Sequence, residues 1–360
     1  MTADADGLRS VADAAAAARA GLDDEVWHFL AGGAGDERTI EANRAAFSRW
    51  RLQPRALTGM GPPDTTAVVL GCPVAFPVLV APFAGDTRLH PDGFAAVGRA
   101  CAEHGTLAVV PELTTETLEA VAAAAPDAAR VFQLSLLGDE ADFARLGGRA
   151  AAAGYAALCV TVDAPVVGVR RRTAPFGVAP TTHLTLGNFG PASGIDAAEY
   201  FGHAQRLDRP TWTWARLADA AAAVGLPFAV KGVLGAADAR AAVDAGAAAV
   251  YVSNHGGRQL DPAPATLDVL AEVVAEVGGE TEVLVDGGVT NGADAVTALA
   301  LGARAVLVGR AAAFGLAAAG QRGVARVLAL LDHELRTTMT LLGRGSLAEL
   351  DASVLRPAGR

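Results

Sequence analysis

The chain is poor in charge, in aromatic rings and in cysteine. Charged residues make up 19% and aromatic residues 5% of its 360 residues. The net charge is −10, which argues against a nucleic-acid partner, because phosphate binding needs a basic stripe. The three cysteines, Cys72, Cys101 and Cys159, are odd in number, widely spaced and set among apolar neighbours. That pattern argues against a disulfide framework and predicts buried thiols in a reducing compartment. Met1–Gly7 is acidic and has neither the basic nor the apolar region of a signal peptide. No apolar run approaches the ~20 residues of a membrane span. A soluble cytoplasmic protein with no membrane partner is expected.

Alanine, glycine and aliphatic side chains fill the space those absences leave. Hydrophobic residues reach 52%, enough for a large core. From Ala75 onward, short apolar runs alternate with alanine-rich helical stretches. The strand candidates are Phe76–Ala81, Thr106–Val110, Arg130–Leu134, Ala157–Asp163, Phe228–Val233, Ala247–Ser253, Glu282–Asp286 and Ala305–Gly309. Helical patterns such as Ala236–Ala245 and Ala293–Leu301 lie between them. Alternation of this kind predicts a parallel sheet, and eight units predict closure into a (β/α)8 TIM barrel over a single domain, 1–360. An open doubly wound sheet is the alternative, weakened because no G-x-G-x-x-G opens an early helix. Residues 8–50 read as a helical segment preceding the barrel, and Gly323–Leu350 as a last helix packed on it. Arg171–Trp214, rich in proline and glycine, reads as a long loop or lid after the fourth strand.

Chemistry concentrates where strands end, which in a barrel is one mouth. Ser253-Asn254-His255-Gly256-Gly257-Arg258-Gln259-Leu260-Asp261 follows the sixth strand. His255 can move a proton near neutral pH, and Arg258 can hold a carboxylate. Thr161 and Asp163 end the fourth strand. Lys231 ends the fifth, where an ammonium among apolar residues needs an anion or an electron-rich ring. Asp286-Gly287-Gly288 ends the seventh strand and Gly309-Arg310 the eighth, the usual barrel phosphate position. Blander roles exist for each: tight turns for the glycines, a helix cap for Asp163, an ion pair for Lys231. Their joint placement favours a site for a small organic acid.

These motifs resemble the FMN-dependent 2-hydroxy acid oxidases and dehydrogenases, the family of glycolate oxidase, lactate oxidase and mandelate dehydrogenase. SNHGGRQLD carries the resemblance. Ala81-Pro82, Phe132-Gln133-Leu134, Thr161-Val162-Asp163, Val230-Lys231-Gly232, Asp286-Gly287-Gly288 and Val308-Gly309-Arg310 support it, as does the N-terminal run Phe29–Ala34. The resemblance implies FMN as cofactor and His255 as catalytic base, oriented by Asp163. It implies Arg258 and Arg170 as clamps on a small-molecule carboxylate, and Lys231 beside flavin N1 and O2. It implies flavin contacts from Gln133, Thr161, Ser253 and the segment Ala81, Pro82, Phe83 and Ala84. Asp286 would meet the ribityl chain, and Gly287, Gly288, Gly309 and Arg310 the phosphate. No metal is implied. A homo-oligomer, tetrameric as is common in the family, is expected.

The chain departs from the family in its substrate pocket. Phe29 and Ser135 stand where the family carries tyrosines, Leu113 where it carries tryptophan, and Pro111 where it carries serine. The flavin and acid–base halves therefore look intact while the substrate half is rewritten. The expected reaction is oxidation of a 2-hydroxy acid larger than glycolate or lactate to the 2-oxo acid. Ala84 leans toward O2 as electron acceptor. The alternatives are a related flavoenzyme acting on a different substrate class, with or without decarboxylation, and a non-catalytic flavin-binding protein.

Overall fold

Each of the eight apolar runs forms a strand, because a closed parallel barrel buries both faces of every strand. In the computed structural model, which describes residues 4–176, 186–191, 193–208 and 211–359, these strands form one closed barrel. They are β1 (Val78–Val80), β2 (Leu107–Pro111), β3 (Ala129–Ser135), β4 (Ala157–Thr161), β5 (Phe228–Val233), β6 (Ala249–Val252), β7 (Glu282–Val285) and β8 (Ala305–Val308). Closure comes where β8 pairs with β1 in the register Val306↔Val78.

Alternation within the strands sorts the core into two layers. Leu79, Leu107, Val109, Val131, Cys159, Tyr251, Leu284 and Leu307 fill the barrel interior. Val78, Val80, Ala108, Val110, Phe132, Leu158, Val250 and Val306 pack outward against the helices. A hairpin, Ala67–Val69 with Cys72–Val74, adds Val69, Leu70 and Val74 to the interior cluster and bonds to Glu282 at the start of β7. It closes the end of the barrel opposite the strand C-termini. All three cysteines are buried and free, as expected.

Residues 8–50 are helical as predicted, over Val11–Gly21, Asp24–Ala31 and Arg38–Ser48. They are tied to the barrel by a buried amide pair. Asn43 Nδ2 donates to Asn254 Oδ1 at 2.9 Å, and Asn254 Nδ2 to Asn43 Oδ1 at 2.8 Å.

Two expectations need correcting. The segment 171–214 is not simply a loop: Arg171–Phe176 and His203–Gln205 are 3-10 turns and Ala197–Gly202 is α-helical. Asp196 caps that helix by accepting from Glu199 N, and Tyr200 and Phe201 bury its inner side. Pieces so short leave no periodic trace in a sequence. The rest of the proposed lid, 177–185, 192 and 209–210, lies outside the described residues. The last helix also begins earlier than predicted, running Arg310–Leu342 with a break at Ala319 and Gly320. It is long and apolar enough by length and composition to cross a membrane, although Gln321 and Arg322 interrupt its apolar run. Here 61% of its most apolar 18 residues are buried within the protein.

Asn43→Ala leaves Asn254 only Pro264 O and the N–H of Gly257 as partners and takes the acceptor from the backbone N–H of Thr266. Leaving a buried polar group unpaired should lower unfolding free energy by about 1–3 kcal/mol, read from urea denaturation.

Candidate active site

The C-terminal ends of the strands open into one cavity, and most of the residues singled out from sequence line it. Phe83, Gln133, Lys231, His255, Arg258 and Arg310 come to it from five different strand ends, with His255 and Arg258 sharing one. Arg170 and Phe29 reach it from the segment after β4 and from the N-terminal helices. Ala81, Pro82, Ala84, Leu113, Ser135, Thr161, Asp286, Gly287, Gly288 and Gly309 complete the predicted set at its wall.

Two predicted residues stand behind that wall instead. Ser253 is fully buried; its hydroxyl donates to Asp286 Oδ2 at 3.0 Å and accepts the backbone N–H of His255 at 3.1 Å. Asp163 accepts a 3.0 Å hydrogen bond from His255 Nδ1. An ionised carboxylate can only accept, so the Nδ1 proton is fixed and Nε2 keeps its lone pair. Burial alone would raise Asp163, but His255 and then Lys231 outweigh it and hold the carboxyl below its ordinary value. Burial, followed by the Lys231 charge, pulls His255 below the ordinary 6.5, with Asp163 opposing. That direction favours the neutral imidazole, which keeps 31% of its side chain exposed. Its backbone sits in the left-handed region at φ 58°, a conformation costly for a residue with a Cβ and typical of functional positions.

Most of the other charged side chains on this largely apolar wall are cations. Lys231 is 3% exposed, and its Nζ is buried without a hydrogen-bond partner among the described residues. It is also the only lysine among the chain's 29 basic residues, a signal available in the sequence that the motif reading did not use. Arg258 donates to the carbonyls of Phe29 and Gly32 at 2.7 and 2.8 Å, with its guanidinium 4.9 Å from the Phe29 ring centroid. Burial, then Arg170 and Arg310, presses Arg258 well below its ordinary value. Burial likewise pushes Arg170 and Arg310 down to about 10. Arg170 Nε is buried and has no partner among the described residues. Such a cluster is stabilised by anions. Asp286 takes donors from Tyr251 and Ser253 on Oδ2, while Oδ1 is buried with no partner among the described residues.

The signature loop also does structural work that its chemistry hid. Gln259 Nε2 donates to the carbonyls of Asp163 and Val166, and its Oε1 accepts from Gly168 N at 3.0 Å. This holds the chain leading to Arg170. Asp261 accepts from Asp36 N, Thr39 N and Thr39 Oγ1, docking the N-terminal helices that carry Phe29. One chemically loaded residue escaped the sequence reading: Glu112, just past β2, lines the same cavity and is buried. Its only sequence signal is a lone acid at the end of an apolar run.

A parallel barrel that gathers an acid–base pair and four cationic side chains at its strand ends is a barrel enzyme built for anionic ligands. The FMN-dependent dehydrogenase family profile matches residues 18–357, and the chain belongs to that family of FMN-dependent 2-hydroxy acid oxidases and dehydrogenases. It is 42% identical to an L-lactate oxidase of Nostoc sp. over 94% of this chain and 95% of the other. It is also 42% identical to the 4-hydroxymandelate oxidase of Amycolatopsis orientalis, over 93% and 94%. Among solved structures, a soluble mutant of (S)-mandelate dehydrogenase from Pseudomonas putida superposes with a TM-score of 0.89 at 34% identity, covering 98% of this chain and 100% of that one.

Gly232 shows how tightly the pair is held. Its φ is +112°, and a Cβ there would lie 2.6 Å from Asp163 Cβ. Gly232→Ala should cost at least ~1–3 kcal/mol, seen as a lowered thermal midpoint.

Proposed function

We propose that the protein oxidises a 2-hydroxy acid larger than glycolate or lactate to the 2-oxo acid, with His255 as the base. The observation that carries this reading is the 3.0 Å bond from His255 Nδ1 to Asp163, which leaves Nε2 ready in a cavity shared with Arg258 and Arg170. FMN, when bound, supplies the two-electron acceptor.

The residues present fit FMN. The bare Lys231 Nζ and Asp286 Oδ1 suit an electron-rich ring edge and a ribityl hydroxyl. Gln133 Nε2, 3.0 Å from Thr161 Oγ1, and the Ala81–Ala84 segment would face the ring. Gly287, Gly288, the helix start at Gly309 and Arg310 would hold the phosphate. Ser253 would act through Asp286.

The chain's own residues then do the following. Arg258 and Arg170 bind the substrate carboxylate and fix its orientation. His255 Nε2 takes the substrate's proton, and Asp163 stabilises the imidazolium that results. Phe29 steers Arg258 through its ring face. Leu113 and Ser135, in place of larger side chains, leave room for a bulkier substrate. Ala84, at the cavity wall, supports O2 as the acceptor.

Anaerobic mixing with the correct 2-hydroxy acid should bleach the flavin absorbance. His255→Ala should keep the bound flavin and slow that reduction by at least ~10³-fold. Reduction at the wild-type rate would exclude His255 as the base.

The pH profile tests the pair. Activity needs neutral His255, so it should fall as pH drops through a value below 6.5. The sign for stability is the same. A depressed histidine contributes fully above 6.5 and is lost as pH falls through its folded-state value. Asp163→Asn removes the group that holds the value up. The acid limb of kcat should move to lower pH, with kcat reduced on the order of 10²-fold.

A further inference from the structure

Of the three acids at or just behind the cavity wall, Asp163, Asp286 and Glu112, only Glu112 lacks a cationic neighbour. Asp163 has His255 and Lys231, and Asp286 has Lys231. Glu112 is 1% exposed. Its Oε2 accepts from Ser135 N at 3.1 Å and lies 2.9 Å from the hydroxyl of Tyr200. Its Oε1 is buried with no partner among the described residues. Burial lifts the carboxyl to about 7, opposed only by hydrogen bonds from Ser135 and Tyr200, with no cation contributing. An acid held this way is costly to the folded protein unless something completes it.

The barrel places Glu112 opposite the acid–base pair. In the closed order, β2 and β6 are four strands apart of eight, so the residues after them face each other across the mouth. Glu112 and Leu113 follow β2; His255 and Arg258 follow β6. A 2-hydroxy acid with its carboxylate at Arg258 and Arg170 and its C2 at His255 therefore directs its side chain toward β2 and β3. The wall on that side is apolar, with Leu113, Leu137 and Phe201, and Glu112 supplies the carboxyl among them. The backbone N–H of Ser135 and the Tyr200 hydroxyl both go to Oε2, which leaves Oε1 to a ligand.

We infer that Glu112 is a specificity-determining residue that receives an N–H or O–H donor at the far end of the substrate's side chain. The substrate class is narrowed accordingly: a 2-hydroxy acid with an apolar body and a terminal ammonium or hydroxyl group. This rests on the proposed orientation of the acid at Arg258. A site built to bond a donor discriminates strongly against the analogue that lacks it, because its own polar atom is then left bare.

The test uses the FMN-loaded protein and three 3-aryl-2-hydroxypropanoates that differ only at the para position: hydroxyl, aminomethyl or methyl. At least one donor compound should exceed the methyl compound in kcat/KM by roughly 10- to 100-fold. In Glu112→Leu that ratio should fall to near one. In Glu112→Gln a hydroxyl preference should survive, because the amide oxygen still accepts, while an ammonium preference should be lost. The corresponding 3-arylpropanoates, which lack the 2-hydroxyl and cannot be oxidised, give dissociation constants from the flavin absorbance change and should rank the same way. A wild-type protein that treats donor and methyl compounds alike in binding, or a Glu112→Leu variant that keeps the preference, overturns the inference. If none of the hydroxy acids reduces the flavin while the unreactive acids still rank by donor, the base reading fails and the Glu112 inference stands.

Discussion

The hydrogen bond between His255 and Asp163 is the contact on which the site depends, and much of the surrounding structure exists to keep it in place. The imidazole is carried by a residue in the left-handed region, and the carboxylate lies just past a strand end. Gly232 yields the space Asp163 needs. Gln259 pins the carbonyl of Asp163, and Ser253 pins the N–H of His255. The two partners come from different strand ends, after β4 and β6, and the pairing of both strands with β5 sets their distance.

Electrostatically the mouth has two sides. Lys231, Arg170, Arg258 and Arg310 gather positive charge in a chain whose overall balance is acidic. The contrast is local, and it suits a protein whose cofactor and substrate are both anions. Glu112 sits across from that charge without joining it. In the proposed orientation the arginines would recognise the carboxylate, and the wall around Glu112, Leu113 and Ser135 would face the substrate's side chain.

The barrel was legible because burial on both faces writes each strand as an unbroken apolar run, and all eight runs are strands. Their ends were legible only to within a residue or two. Ala157–Asp163 was read as strand, for example, while pairing stops at Thr161. The short helix Ala197–Gly202 was not legible, since six residues carry no period. The part of the last helix before the break at Ala319 and Gly320 was not legible either, because Ala311–Ala318 is small or apolar throughout and shows no polar face. In the site, clustered motifs placed the cavity residues well, yet they could not separate wall from support. Ser253 and Asp163 look in sequence like their cavity-lining neighbours. Glu112 was invisible because one acid outside a motif carries no spacing.

The Asn43–Asn254 pair has a consequence for how the molecule comes together. Its two amides are 211 residues apart, and the contacts of Thr39 with Asp261 and of Phe29 with Arg258 span 222 and 229. The N-terminal helices are synthesised first and find their partners last, after six strands have followed them. Long-range closures of this kind slow folding and leave early segments exposed while they wait. The functional mouth is accordingly a late product of folding. No fragment that ends before the sixth strand can contain it, however much of the barrel it has already formed.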